Sequence, residues 1–224
     1  MGLQSSGAIS LTQIATEFGG SAPHSLSEYY GVTTGVPTSG TITFSDFYGK
    51  SSVSITGDLL HTLDNPSAYG TTTGDYFGFS VSISGDYAIV GAYGENDADG
   101  NSSGKAYIFN VSTGALLHTL DNPNAYGTTT NDYFGLSVAI SGDYAIVGAY
   151  REDDAGGTSS GKAYIFNVST GALLHTLDNP SAYGTSASDN FGSSVAISSD
   201  YAIVGAYGED DAGGTSSGKA YIYS

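Results

Sequence analysis

Serine alternates with aliphatic residues along Ser80-Val-Ser-Ile-Ser84, a two-residue period that puts Val81 and Ile83 on one face of a strand. With Gly78 and Phe79 before it, this segment predicts a first strand. Tyr87-Ala-Ile-Val-Gly-Ala-Tyr93 predicts a second, joined to it through Gly85-Asp86, a two-residue hairpin signal. Lys105–Val111 and Ala115–Leu120 complete a set of four, with Ser112-Thr-Gly114 turning the third into the fourth.

The set recurs every 57 residues, as Phe77-Gly78, Phe134-Gly135 and Phe191-Gly192 mark, and KAYIFNVSTGALLHTLDNP stands unchanged at 105–123 and 162–180. A fixed period of this size predicts a stacked or radial array. Four antiparallel strands per unit is the make-up of a propeller blade. The expected fold is therefore mainly β: three four-stranded blades, propeller-like or triangular, spanning about 59–115, 116–172 and 173–224. Leu59-Leu-His-Thr-Leu63 predicts a fourth-type strand ahead of the first unit, and the last unit runs through its third-type strand, Lys219–Tyr223. This phase predicts closure by strand exchange. Within one chain it gives a small triangular prism; between two chains it gives a six-bladed homo-oligomer, inside the usual four to eight blades.

Residues 1–50 follow another grammar. Ser10-Leu-Thr-Gln13 is a capping-box pattern, Leu11, Ile14, Ala15 and Phe18 form an apolar helix face, and Gly19-Gly20 stops it. Ser25-Leu-Ser-Glu28 opens a second, very short helix, and Thr41–Phe44 reads as a strand. Some fifty residues bury little surface alone, so this α+β module is expected to lean on a partner or on its own oligomer.

Composition narrows the partners. Twenty-two acidic residues against five basic ones give a net charge of −17, which argues against nucleic acid and against an anionic membrane surface. Charged residues make up only 12%, so the chain is not an acidic disordered tail. Without cysteine there is no disulfide, thiolate metal site or cysteine nucleophile. No apolar run approaches the ~20 residues of a membrane helix. MGLQSSGAISLTQ has neither the basic nor the apolar region of a signal peptide, so synthesis in a cytosol and release by another route, such as cell lysis, is the expectation.

The unit at 77–109 resembles FG-GAP repeats, the blade units of integrin-type propellers, in the short-hairpin bacterial and phage form. Phe77-Gly78 matches the FG element and Gly91-Ala92-Tyr93 the GAP element, with Tyr in place of Pro; the match recurs at Phe134 with Gly148-Ala-Tyr150 and at Phe191 with Gly205-Ala-Tyr207. The resemblance implies a propeller used for adhesion or protein contact. ISLTQIATEFGG, PHSLSEYYG and VPTSGTITFSDFYGKS resemble a module at the start of virion structural proteins of tailed phages, many of them marine. Together they imply a virion protein (fibre, spike or capsid decoration) made in the host cytoplasm. It would be held to other virion proteins through residues 1–50 and directed at a host glycan or surface protein. A carbohydrate-binding adhesin is the alternative reading.

Calcium is the cofactor to consider. Integrin-type units often carry it in the first hairpin, but here that hairpin is only Ser84-Gly-Asp-Tyr87, too short for the ligand set. The acidic loop lies instead between the second and third strands. Glu95, Asp97 and Asp99 alternate ahead of Gly100, a spacing that lets oxygens converge on a hard cation; a solvated acidic turn is the plainer reading. The later copies, Glu152-Asp-Asp154 and Glu209-Asp-Asp211, lose the alternation.

His61, His118 and His175 share one strand position, and three imidazoles on an axis could bind a metal, but without a neighbouring ligand a half-exposed strand residue is expected. Lys105, Lys162 and Lys219 open strands as edge-guarding lysines do. Among 18 tyrosines, Tyr69, Tyr126 and Tyr183 lie in the variable connection before FG and are the candidates for receptor contact. No Ser–His–Asp spacing, phosphate-binding loop or HExxH helix appears, so no catalytic residue is assigned and the protein is not expected to be an enzyme.

Overall fold

The computed structural model describes residues 13–15, 57–66, 73–98, 100–123, 129–155, 157–180 and 184–224. The chain divides into two compact units, Met1–Leu60 and His61–Ser224. In the first, residues 13–15 are helical and Ile14 is fully buried; the rest of the 1–50 module lies outside the described residues, as do Tyr69, Asp99, Tyr126 and Tyr183.

The second unit is built from three antiparallel sheets. Strands β1 (Ser80–Ser84), β2 (Tyr87–Ala92), β3 (Lys105–Asn110) and β4 (Leu116–Asp121) make the first, in that order. Strands β5 (Ser137–Ser141), β6 (Tyr144–Ala149), β7 (Lys162–Asn167) and β8 (Leu173–Asp178) repeat it. The third sheet has three strands, β9 (Phe191–Ile197), β10 (Ala202–Ala206) and β11 (Lys219–Tyr223), ordered β11-β10-β9.

The expectation of four strands in every blade is thus corrected for the third unit: the sheets hold four, four and three strands, and none closes on itself among the described residues. Residues 57–66 carry no strand. The reason is local: β4 forms because the turn after β3 folds it straight back onto that strand, with Ala106 opposite Leu120 and Lys105 opposite Asp121. The identical Leu59–Leu63 sequence has no hairpin partner folded against it among the described residues, and strand-forming sequence without a partner makes no ladder.

Hairpin geometry follows the turn residues. Gly85 (φ 57°) and Gly142 (φ 55°) occupy the left-handed region at the first turn position, and pairing continues to Ser84–Tyr87 and Ser141–Tyr144. Ser199 replaces this glycine in the third unit, keeps a negative φ, and the ladder stops one pair earlier, at Ile197–Ala202.

Each sheet has two apolar faces, and stacking buries those that meet. Val138 and Ile140 of β5 pack on Ile89 and Ile108 of the first sheet, joined by Leu120 and Phe134. Ile146 and Ile165 of the second sheet meet the third around Phe191, Ala202 and Val204. The ring of each FG phenylalanine rests on its own third-type strand: Phe134 against Tyr164 and Phe166 (centroids 5.8 and 6.0 Å), Phe191 against Tyr221 and Tyr223 (5.8 and 6.3 Å).

The joint is fixed by backbone contact as well. Phe134 N donates to Ser103 O, and Phe191 N to Ser160 O, each at 2.9 Å. Ser80 Oγ donates to Gly135 O at 2.8 Å, and Ser137 Oγ to Gly192 O at 2.7 Å. FG of one repeat is therefore the part that seats on the GA of the repeat before it.

Candidate functional site

The acidic loop after each second strand folds inward. Glu95, Glu152 and Glu209 are all fully buried. Each carboxylate accepts from the tyrosine of the next strand: Tyr107 Oη to Glu95 at 2.5 Å, Tyr164 Oη to Glu152 at 2.6 Å, and Tyr221 Oη to Glu209. Their carbonyls take the loop's return, from Gly104, Gly161 and Gly218 N, each at 2.8 Å. Lys162 Nζ lies 3.1 Å from Glu152 Oε1 and Lys219 Nζ 2.5 Å from Glu209 Oε1. Burial raises the pKa of Glu152, while the Tyr164 hydroxyl and Lys162 pull it back down. Burial, then the facing carboxylate, also holds the Tyr107 phenol well above its ordinary range. Lys162, 6% exposed, is consequently an interior ion-pair partner and not an edge guard, while Lys219 is half-buried on the edge strand β11.

Asp97 has a different neighbourhood. It accepts from Gly100 N at 2.7 Å and from Thr129 Oγ1 of the following repeat at 3.1 Å. Asp154 does the same with Gly157 N (2.9 Å) and Ser186 Oγ (3.0 Å). Glu95 thus locks a sheet while Asp97 ties a loop to the next repeat. Among the described residues no group of three or more His, Cys, Asp or Glu is arranged to hold a metal ion. The first hairpin offers one carboxylate, Asp86, between Ser84 and Tyr87, which does not fit the family's calcium loop.

The histidines do not meet on an axis. His61 Nε2 lies 3.0 Å from Ser112 O and His118 Nε2 3.1 Å from Ser169 O, so each spends its ring on a separate turn.

What the repeats do bring together is an aromatic ladder. Tyr76 stacks on Tyr93 (centroids 4.9 Å, planes 2° apart), and Phe79 meets the same ring edge-on at 4.8 Å. Tyr93 then contacts Tyr133 of the second repeat edge-on at 5.7 Å, and Tyr133 stacks on Tyr150 at 5.8 Å. Arg151, the chain's single arginine, lies over Tyr133 and Tyr150, 5.2 and 5.5 Å from their centroids. Tyr76 and Phe79 are exposed at 58% and 61%, and Tyr93, Tyr133 and Tyr150 are half-buried. Desolvation and the neighbouring phenols raise the pKa of Tyr93.

Backbone strain holds the ladder. Tyr76 (φ 57°) and Tyr133 (φ 56°) sit in the left-handed region, where a bulky side chain is rare. In the third repeat Asn190 (φ 57°) takes this position, a residue that tolerates it, and Tyr207 is left 61% exposed.

Tyr69, Tyr126 and Tyr183, the tyrosines expected to contact a receptor, lie outside the described residues, and the ladder is built from other tyrosines. Two signals pointed to it: Tyr in place of Pro in Gly-Ala-Tyr, and Tyr immediately before Phe-Gly at 76 and 133. Among the described residues no helix is long and apolar enough to cross a membrane.

The family model described as FG-GAP repeat matches residues 67–109, 124–166 and 181–223. No curated protein matches the chain.

Proposed function

This chain belongs to the FG-GAP repeat family, and from that premise we propose that it is a non-catalytic adhesive module whose aromatic ladder holds glycans of a host surface. The observation that carries the reading is the strained placement of Tyr76 and Tyr133. Asn serves the same backbone position in the third repeat, so the two tyrosines are explained by what their rings do, not by the turn. A row of aromatic rings is suited to stacking on sugar faces at low entropic cost. The net charge of −17 directs the choice to neutral or amino-bearing sugars and away from polyanionic ones. A glycan array with the purified chain, followed by competition of the best binder against attachment to host cells, tests the reading. Absence of binding to every neutral and amino-sugar glycan would sink it.

The setting we propose is the phage virion, with residues 1–50 as the attachment module to other virion proteins and synthesis in the host cytoplasm. The likeness of ISLTQIATEFGG and VPTSGTITFSDFYGKS to tailed-phage structural modules supports it. Mass spectrometry of purified particles is the check, and absence from them would remove the setting while leaving the adhesive surface in place.

A further inference from the structure

The two ends of the stack expose the two halves of its own internal joint. On the leading face Val81 and Ile83 are 66% and 67% exposed, whereas their counterparts Val138 and Ile140 are 8% and 6% exposed because they pack on the first sheet. On the trailing face Ile203 and Ile222 are 40% and 71% exposed, whereas Ile89 and Ile108 at the same repeat positions are fully buried beneath β5. The residue types are the same, so only the neighbour is missing.

The polar and steric parts of the joint are vacant in the same way. A Cβ at Gly104 would lie 1.9 Å from Phe134 O, and one at Gly161 2.0 Å from Phe191 O, but at Gly218 the nearest atom is Tyr207 O at 3.3 Å. Gly91 and Gly148 are covered by the carbonyls of Gly135 and Gly192, whereas the atoms nearest a Cβ on Gly205 all belong to Ser194 of its own sheet. A shallow depression lies against the trailing face, lined by Ile203 and Ile222 among others. Opposite it, the leading face carries the unused plug, an exposed Gly78 beside a Phe77 that is half-buried where Phe134 and Phe191 are fully buried.

One more element completes the match. β3 and β7 each pair with a fourth strand of sequence LLHTLD, while β11 is an edge of its sheet. The same hexapeptide stands at 59–64, and His61 already bonds Ser112 O as His118 of β4 bonds Ser169 O. Leu63 packs on the first sheet's cluster, the place Leu120 takes on the second.

We propose that the trailing face of one copy of this chain receives the leading face of a second copy, head to tail. Phe77-Gly78 seats on Gly205 and Gly218, Val81 and Ile83 pack on Ile203 and Ile222, and residues 59–64 add to the open edge of β11. Repeating the joint once more closes a two-chain ring of six sheets, a size inside the usual propeller range. The joint stands independently of what the ladder binds.

The test is native mass of the full chain and of two variants, Ile83→Arg on the leading face and Ile222→Arg on the trailing face. Wild type is expected at about twice 22.8 kDa and each variant alone at about 22.8 kDa. Mixing the two variants restores a one-to-one dimer, because each retains the face the other has lost; a symmetric face-to-face contact would not be restored this way. Both positions are more than 60% exposed, and unchanged circular-dichroism spectra establish that the variants fold. Should Ile83→Arg misfold, Val81→Arg takes its place. A monomeric wild type, an oligomer that survives both substitutions, or failure of the mixture to pair would each overturn the proposal.

Discussion

Gly135 sits so close to Gly91 that a Cβ on Gly91 would stand 1.9 Å from the Gly135 carbonyl oxygen. The two glycines belong to successive repeats, and their contact explains why FG and GA recur at a fixed distance. Each is the place where one sheet's backbone reaches another. Ser80 Oγ closes the same contact with its 2.8 Å hydrogen bond to Gly135 O.

Gly91→Ala is therefore expected to destabilise the stack by about 2 kcal/mol or more, since backbone rather than a movable side chain blocks the added methyl. Gly205→Ala meets Ser194 first, whose side chain can turn away, and should change unfolding free energy by about 0.5 kcal/mol or less. Urea denaturation of both at low protein concentration makes the comparison.

Lys162→Met should cost about 3–5 kcal/mol, because it strands the fully buried Glu152 carboxylate. The double variant Lys162→Met with Glu152→Gln should recover a large part of that loss. Recovery measured by thermal or urea unfolding separates the charge effect from lost packing.

Stability should fall as pH rises from mild acid to neutrality. Burial, then the charge of Glu152, raises the Asp132 carboxyl from 3.8 to about 7. The folded chain consequently holds that proton across a range where the unfolded chain has released it. The contribution is fully present below about pH 4 and lost as pH climbs through about 7, a swing on the order of a few kcal/mol. Asp132→Asn keeps the oxygen that faces Asn122 and should flatten the profile between pH 4 and 8. An unchanged slope in the variant would place the titration elsewhere.

Calcium at Glu95, Asp97 and Asp99 has a direct test. With Glu95 engaged by Tyr107 and Asp97 by Gly100 and Thr129, EDTA is expected to leave the melting temperature unchanged. Asp97→Ala should lower stability by about 1–2 kcal/mol with or without calcium, through the lost hydrogen bonds. A melting temperature that drops with EDTA in wild type, and not in Asp97→Ala, would instead install the ion.

Tyr93→Ala should weaken glycan binding most, because that ring touches Tyr76, Phe79 and Tyr133 together. A loss of about 1 kcal/mol, roughly fivefold in Kd, is the scale of one stacked ring. Tyr207→Ala, outside the ladder, should have a smaller effect in the same titration.

The repeat, the strands and their turns are written in the chain locally. Serine–aliphatic alternation, Gly-Asp hairpins and the identical third and fourth strands are chain-local signals, and β1 to β8 appear where those signals put them. Even the early end of the β9–β10 ladder is legible, in Ser199 replacing a glycine. Tertiary structure alone decided which copies of the same residue are inside. Ile89 is fully buried and Ile203 is 40% exposed, although they share a repeat position, because burial depends on what stacks across the face. It also turned Glu95 inward as a lock on Tyr107 and lined Tyr93 up with Tyr133, residues 12 and 40 positions apart. Glu95 reaches Tyr107 because its loop folds back over β3, and Tyr93 reaches Tyr133 because sheets stack; no local period encodes either meeting.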